Sequence, residues 1–177
     1  MRITGGNLAG RQALVPPGVI RPAMDRMRES VFAVLGDISG NSFLDLFSGS
    51  GIIALEAASR GASYIEAVEQ DKQKSAVLIK NTRLALPVRI NCRFISCELY
   101  IKRGKHPFDI IFCDPPFPYK YKQDLLAGIA ASPLLAGGGL LLVHRPREEE
   151  FACPPELVLD KRREYGRSVV DFWRKNI

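Results

Sequence analysis

Five short apolar runs, most of them followed by a helical pattern or a sharp turn, limit the folds open to this chain. They are SFLDLF (42–47), SYIEAVE (63–69), PVRINCRFI (87–95), FDIIFC (108–113) and GGLLLVH (138–144). Residues 50–60 read as a helix closed by Gly61, and helices are also predicted over about 71–84 and 121–131. Strands with little polar alternation need cover on both faces, and helical crossovers between parallel strands supply it. Two further β-like segments, ELVLDKRRE (156–164) and RSVVDFWRK (167–175), are split only by the turn at Tyr165-Gly166, so they pair antiparallel. Ahead of the sheet, Met24, Met27, Val31, Phe32 and Leu35 share one face of a helix over 25–35. Residues 1–22 carry turn chemistry at Gly5-Gly6-Asn7 and Ala9-Gly10, with a break at Val15-Pro16-Pro17-Gly18. The predicted fold class is therefore α/β and Rossmann-like. It comprises a mostly parallel seven-stranded sheet with an antiparallel C-terminal strand, plus a small N-terminal β-hairpin. Residues 1–22 form the extension and 23–177 the sheet domain.

The 177 residues are 46% hydrophobic and 25% charged, enough apolar material for one core without metal or disulfide staples. No apolar stretch approaches the roughly 20 residues of a membrane helix. The opening MRITGGNLAGRQ has no signal-peptide centre. A cytoplasmic protein with no membrane partner is expected. Cys92, Cys97, Cys113 and Cys153 make no CxxC pair, so they read as reduced, mostly core residues, and no metal site is expected. The net charge is +6, and residues 1–28 hold Arg2, Arg11, Arg21, Arg26 and Arg28 against Asp25 alone. Such clustering suits an anionic partner, because basic groups release counterions from a phosphate backbone. A solvated basic surface is the plainer alternative.

The first strand runs into Asp45-Leu46-Phe47-Ser48-Gly49-Ser50-Gly51. Its glycines allow a tight turn and close approach of a ligand to the backbone. With Ala54 the spacing reads G-x-G-x-x-A, which also fits a dinucleotide loop. Two acids redirect that reading. Asp45 sits within the strand, where a carboxylate needs donors, and Glu69 ends the second strand 18 residues past Gly51, where an acid holds ribose hydroxyls. A pyrophosphate gains nothing from a neighbouring carboxylate. A ligand joining a ribose to a cationic amino acid, such as S-adenosylmethionine, does. Glu98, after the third strand, is placed to reach an adenine or to lie solvated in a loop.

The fourth strand ends in Asp114-Pro115-Pro116-Phe117. The prolines fix φ and remove two N–H donors, so a carboxylate and backbone carbonyls stand as acceptors beside an aromatic ring. That set suits an exocyclic amine on a flat base.

These residues resemble a family. DPPF is similar to the (D/N/S)-P-P-(Y/F/W) motif of amino-group methyltransferases, and FLDLFSGSG to their S-adenosylmethionine loop. With IRPAMDRMRESVFAVL (20–35), FLDLFSGSGIIALEAASRGA (43–62), EQDKQ (69–73), the opening MRITGGNLAGRQ and the closing YGRSVVDFW, nearly the whole chain resembles the RsmD family of bacterial 16S rRNA guanine-N2 methyltransferases. The resemblance implies a class I methyltransferase fold, S-adenosylmethionine as cofactor, S-adenosylhomocysteine as product and no metal. Its implied substrate is 16S rRNA or the small-subunit particle, and a monomer is expected. Asp45, Phe47, Gly49, Ser50, Gly51, Glu69, Gln70 and Glu98 would hold the cofactor. Asp114, Pro115, Pro116 and Phe117 would hold the base, and Arg2, Arg11, Arg21, Arg26 and Arg28 the RNA. Glu29 is a site member or an arginine's partner. The chain departs from the family at His144, where an acid is expected; a structural histidine is the reading here. The competing functions are DNA adenine-N6 or protein glutamine-N5 methylation, nicotinamide-dependent oxidoreduction through the glycine loop, and RNA binding without catalysis.

Overall fold

A computed structural model describes residues 1–16 and 22–177. In chain order its elements are α1 (Pro22–Leu35), β1 (Ser42–Leu46), α2 (Ile52–Ser59), β2 (Tyr64–Val68), α3 (Lys72–Thr82), β3 (Ile90–Arg93), α4 (Cys97–Arg103), β4 (Phe108–Cys113), α5 (Lys122–Ala131), β5 (Leu135–Pro146), β6 (Leu157–Tyr165) and β7 (Ser168–Lys175). The seven strands lie in the order β3-β2-β1-β4-β5-β7-β6. The first five pair in parallel, and β7 slots antiparallel between β5 and β6. The expected sheet is thus present. Gly166, at φ +61°, makes the turn that folds β7 back onto β6.

The strand residues alternate between two apolar layers. Phe43, Ile65, Ile110, Phe112, Leu142 and Phe172 pack with α1, α2 and α3. Leu44, Leu46, Ile111, Leu141, Val143 and Trp173 pack with α4 and α5. The helix α4 goes beyond the sequence reading, which stops at a strand over 87–95. Its signals are present: Ser96 caps it by accepting from Leu99 N–H (3.2 Å), Glu98 lies in the first turn and Lys102 and Arg103 in the last. The expected strand shrinks to Ile90–Arg93, a short sheet edge of the kind that discourages edge-to-edge pairing.

The expected N-terminal hairpin takes the form of a tight loop closed by the Arg2–Gln12 bridge, with Ile3 N–H donating to Arg11 O (3.0 Å) and Gly10 N–H to Ile3 O (2.9 Å). It lies on α2 and is stitched to it. Every residue of α2 is buried, including Glu56. A carboxylate in that position requires partners, and it has four. Thr4 N–H and Oγ1 donate to its Oε1 (2.6 and 2.8 Å), Arg28 Nε reaches the same oxygen (3.0 Å), and Arg60 Nε lies 3.3 Å from Oε2.

This clamp corrects one expectation. Arg28 is 2% exposed, and beyond Glu56 it bonds Arg2 O (2.7 Å) and Asp25 (3.1 Å). A guanidinium consumed inside the fold cannot grip a phosphate, so Arg28 is a strut and not an RNA contact. Arg2, Arg11 and Arg26 are exposed; Arg21 lies outside the described residues. All four cysteines are free thiols: Cys97 and Cys113 are buried, Cys92 is half-buried, and Cys153 is exposed and not core.

Candidate active site

The strand register assembles the site. Leu46 pairs with Val68 on one side and Cys113 on the other, and Cys113 pairs with Val143. The next residue of each strand therefore lies on one rim in the order Glu69, Phe47, Asp114, His144. A cleft of about 850 Å³ opens there, bounded by these residues, by Gln70 and Pro115 to Pro118, by Met24 and Met27 of α1, and by Tyr165 to Ser168 of the β6–β7 turn. It occupies the carboxyl ends of the parallel strands, the usual ligand position in such sheets.

On the glycine-loop side, Phe47 adopts φ 60° and Gly51 φ 81°. The first is strained for a side chain of that size, a feature that gathers at functional sites. The second admits only glycine comfortably, and a Cβ there would also meet Leu78 Cδ1 at 2.6 Å. Glu69 secures the loop, with Gly49 N–H on Oε2 and Asp71 N–H on Oε1, both at 2.8 Å. Asp45 is 1% exposed and takes Ser48 Oγ–H (2.6 Å) and Ala54 N–H (3.2 Å) on Oδ2 alone. Among the described residues nothing engages its Oδ1. Burial pushes its carboxyl up to about 7, with Asp114 and Glu69 adding repulsion and the two hydrogen bonds opposing. Glu69, Asp71 and Asp114 line the cleft, with Asp45 buried behind its rim; these acids favour a cationic guest, so the residues fit the positively charged amino-acid end of S-adenosylmethionine. Ser50 Oγ turns to Ile52 N–H (3.4 Å) and the side chain is buried. Glu98 borders an adjoining groove with Ile101 and Tyr119, and accepts the Tyr119 hydroxyl proton.

On the other side, Pro116 O accepts from Tyr119 N–H (2.8 Å), which folds the DPPF segment into a turn. Among the described residues no group donates to Pro115 O. Phe117 lines the cleft with its ring edge-on to His144, 5.3 Å between centroids at 62°. His144 Nδ1 lies 2.7 Å from Asp114 Oδ1. The histidine read as structural thus touches the carboxylate of the DPPF segment.

The sequence also conceals Lys122. It is 3% exposed, and its Nζ donates to Phe117 O (2.6 Å), Tyr119 O (2.7 Å) and Glu149 Oε1 (3.0 Å). One buried ammonium thus fixes the loop that carries Phe117. Lys122→Met is expected to lower kcat by roughly tenfold through a loosened loop, while the wild-type affinity for S-adenosylhomocysteine is kept; steady-state kinetics and calorimetry check this.

A family described as Conserved hypothetical protein 95 matches residues 1–174. Ribosomal RNA small subunit methyltransferase D of Escherichia coli (strain K12) is 34% identical over 160 residues, 88% of this chain and 79% of that protein. The chain belongs to the RsmD family. This RsmD-family chain is also 29% identical to YlbH of Bacillus subtilis (strain 168) over 185 residues, 99% of each. The solved structure of yhhF from Escherichia coli matches it with a TM-score of 0.90 at 29% identity, covering 99% of this chain and 98% of that one. Family and fold thus agree with the reading of the residues.

Proposed function

We propose that this RsmD-family chain methylates the exocyclic N2 amine of a guanine in small-subunit rRNA, using S-adenosylmethionine. The supporting observation is the acceptor set at the rim: the Asp114 carboxylate beside the undonated Pro115 carbonyl, with Phe117 as a ring platform. The substrate named for the Escherichia coli relative, small-subunit ribosomal RNA, points the same way.

The cofactor supplies an electrophilic methyl group when bound. Asp45, Gly49 and Gly51 would hold its amino-acid end and Glu69 its ribose, with Phe47, Ser50, Gln70 and Glu98 around them. Asp114 and Pro115 O accept from the guanine amine. These hydrogen bonds turn its lone pair away from the ring and stabilise the positive charge that grows on nitrogen. Phe117 replaces part of the stacking that the base gives up on leaving its neighbours, worth about 1–3 kcal/mol. Alignment supplies most of the acceleration, and the amine's proton leaves afterwards. Such an enzyme works as a cytoplasmic monomer on rRNA or its assembling particle.

The exposed Arg2, Arg11 and Arg26 are the proposed phosphate contacts, with Arg167 and Lys74 at the cleft supporting a basic approach. Arg2→Glu with Arg26→Glu is expected to weaken RNA binding and to flatten the slope of log affinity against log salt by about 0.7 for each phosphate that goes unneutralised. Filter binding across a salt series checks this, with wild-type S-adenosylhomocysteine affinity as the folding control.

The deciding experiment supplies labelled methyl donor and small-subunit particles from cells lacking the gene, and maps the label by mass spectrometry. Label on a guanine N2 of small-subunit rRNA is expected. Transfer to duplex DNA or a protein glutamine in its place would reject the reading.

A further inference from the structure

We propose that His144 is a positioning residue for Asp114: its Nδ1–H fixes one carboxylate oxygen so that the other faces the substrate amine. The inference rests on the amine-methylation reading above.

Register makes the contact obligatory. Cys113 and Val143 are partners in the parallel β4–β5 ladder, so Asp114, just past β4, and His144, still within β5, lie side by side. Nδ1 and Asp114 Oδ1 are 2.7 Å apart, His144 is 5% exposed, and its Nε2 is buried with no partner among the described residues. A proton on Nε2 would strand a buried donor, whereas a proton on Nδ1 meets a carboxylate. The geometry therefore selects the Nδ1–H tautomer. The same imidazole also meets the Phe117 ring edge. One side chain thus braces both groups proposed to hold the base, the acceptor of its amine and the platform for its ring.

The charged groups around the pair are Glu69 and Asp71 after β2, Lys74 on α3 and Arg167 in the β6–β7 turn, with Asp45 on β1 buried behind the rim. Arg145 and Asp171 pair with each other (2.7 Å) on the opposite face of the sheet. No titratable side chain of α1 lines the cleft among the described residues; it contributes Met24 and Met27 there.

Three variants and one spectrum test this. His144→Leu removes the donor and is expected to lower kcat roughly 10- to 100-fold, with unchanged S-adenosylhomocysteine affinity. His144→Asn offers an amide N–H near the Nδ1 position and should recover much of the lost kcat. His144→Gln, whose longer side chain misplaces the donor, should recover less. Nitrogen NMR of the imidazole reads the contact whatever the substrate, and with only two histidines in the chain the signal is assigned by comparison with His144→Leu. The Nδ1–H tautomer is expected. An Nε2–H tautomer, a His144→Leu enzyme within twofold of wild type, or a His144→Asn enzyme no better than His144→Leu would each overturn the inference. A wild-type enzyme that shows the Nδ1–H tautomer but methylates no small-subunit particle would reject the substrate reading and support the contact.

Discussion

Asp114→Ala is expected to cut methyl transfer by about 10³-fold or more, with S-adenosylhomocysteine still bound at near wild-type affinity. The carboxylate stands next to His144 and is not the acceptor that secures the glycine loop, which is Glu69. Its removal therefore deletes the acceptor proposed for the amine and leaves the hydrogen bonds of the loop at Gly49 to Gly51 in place. Asp114→Asn should fall between the two, because it retains one oxygen acceptor and loses the charge. Single-turnover kinetics with saturating cofactor separate chemistry from binding. Equal loss of cofactor affinity and turnover would instead place Asp114 in the cofactor grip.

Asp45→Asn should have the second-largest effect, on the other half of the site. A charged contact to the cofactor's ammonium group is worth roughly 1.5–3 kcal/mol, so affinity should drop by about 10- to 100-fold. The pH dependence identifies the cause. Burial, with repulsion from Asp114 and Glu69, raises the Asp45 carboxyl to about 7, and a cationic guest favours the ionised form. Affinity should therefore rise with pH up to about 7 and level off above it. Near pH 6 it should be about tenfold weaker than at pH 8, and binding should release a proton. Calorimetry in buffers of different ionisation heat measures that proton. Asp45→Asn should show neither the release nor the slope. The ligand-free protein responds in the opposite sense. A carboxyl whose folded pKa lies above its usual 3.8 favours the folded state fully below that value, and the contribution is lost as pH rises through about 7. At pH 8 the ligand-free Asp45→Asn protein should thus melt several degrees above wild type. The same burial that weakens the empty protein prepares it for its guest.

The strands and most helices are legible in the sequence because their apolar residues follow the period of a doubly covered sheet. The two motifs that end β1 and β4 are legible because each places chemistry where a strand must stop. The helix α4 escapes because Cys97–Arg103 is seven residues long and follows a run that already reads as strand; only its capping serine and charge order betray it. Arg28 escapes for a different reason. Sequence shows a cluster of positive charge but not which member a buried Glu56 will claim from 28 residues away. His144 stands out in the sequence as a departure, but nothing beside it tells what the departure does. Its place follows from register: the Cys113–Val143 pairing sets it beside Asp114, and no local pattern carries that information. Lys122 looks like any surface lysine until the Phe117 turn closes over it.

The Glu56 clamp has a consequence for how RNA must meet this protein. Through Arg28 it ties α1, which supplies Met24 and Met27 to one wall of the cleft, to α2, whose first turn continues the glycine loop. Wall and floor are thus cross-braced. On the proposed reading the larger motion belongs to the RNA, whose target base must swing out of its stack to meet a wall and floor already joined.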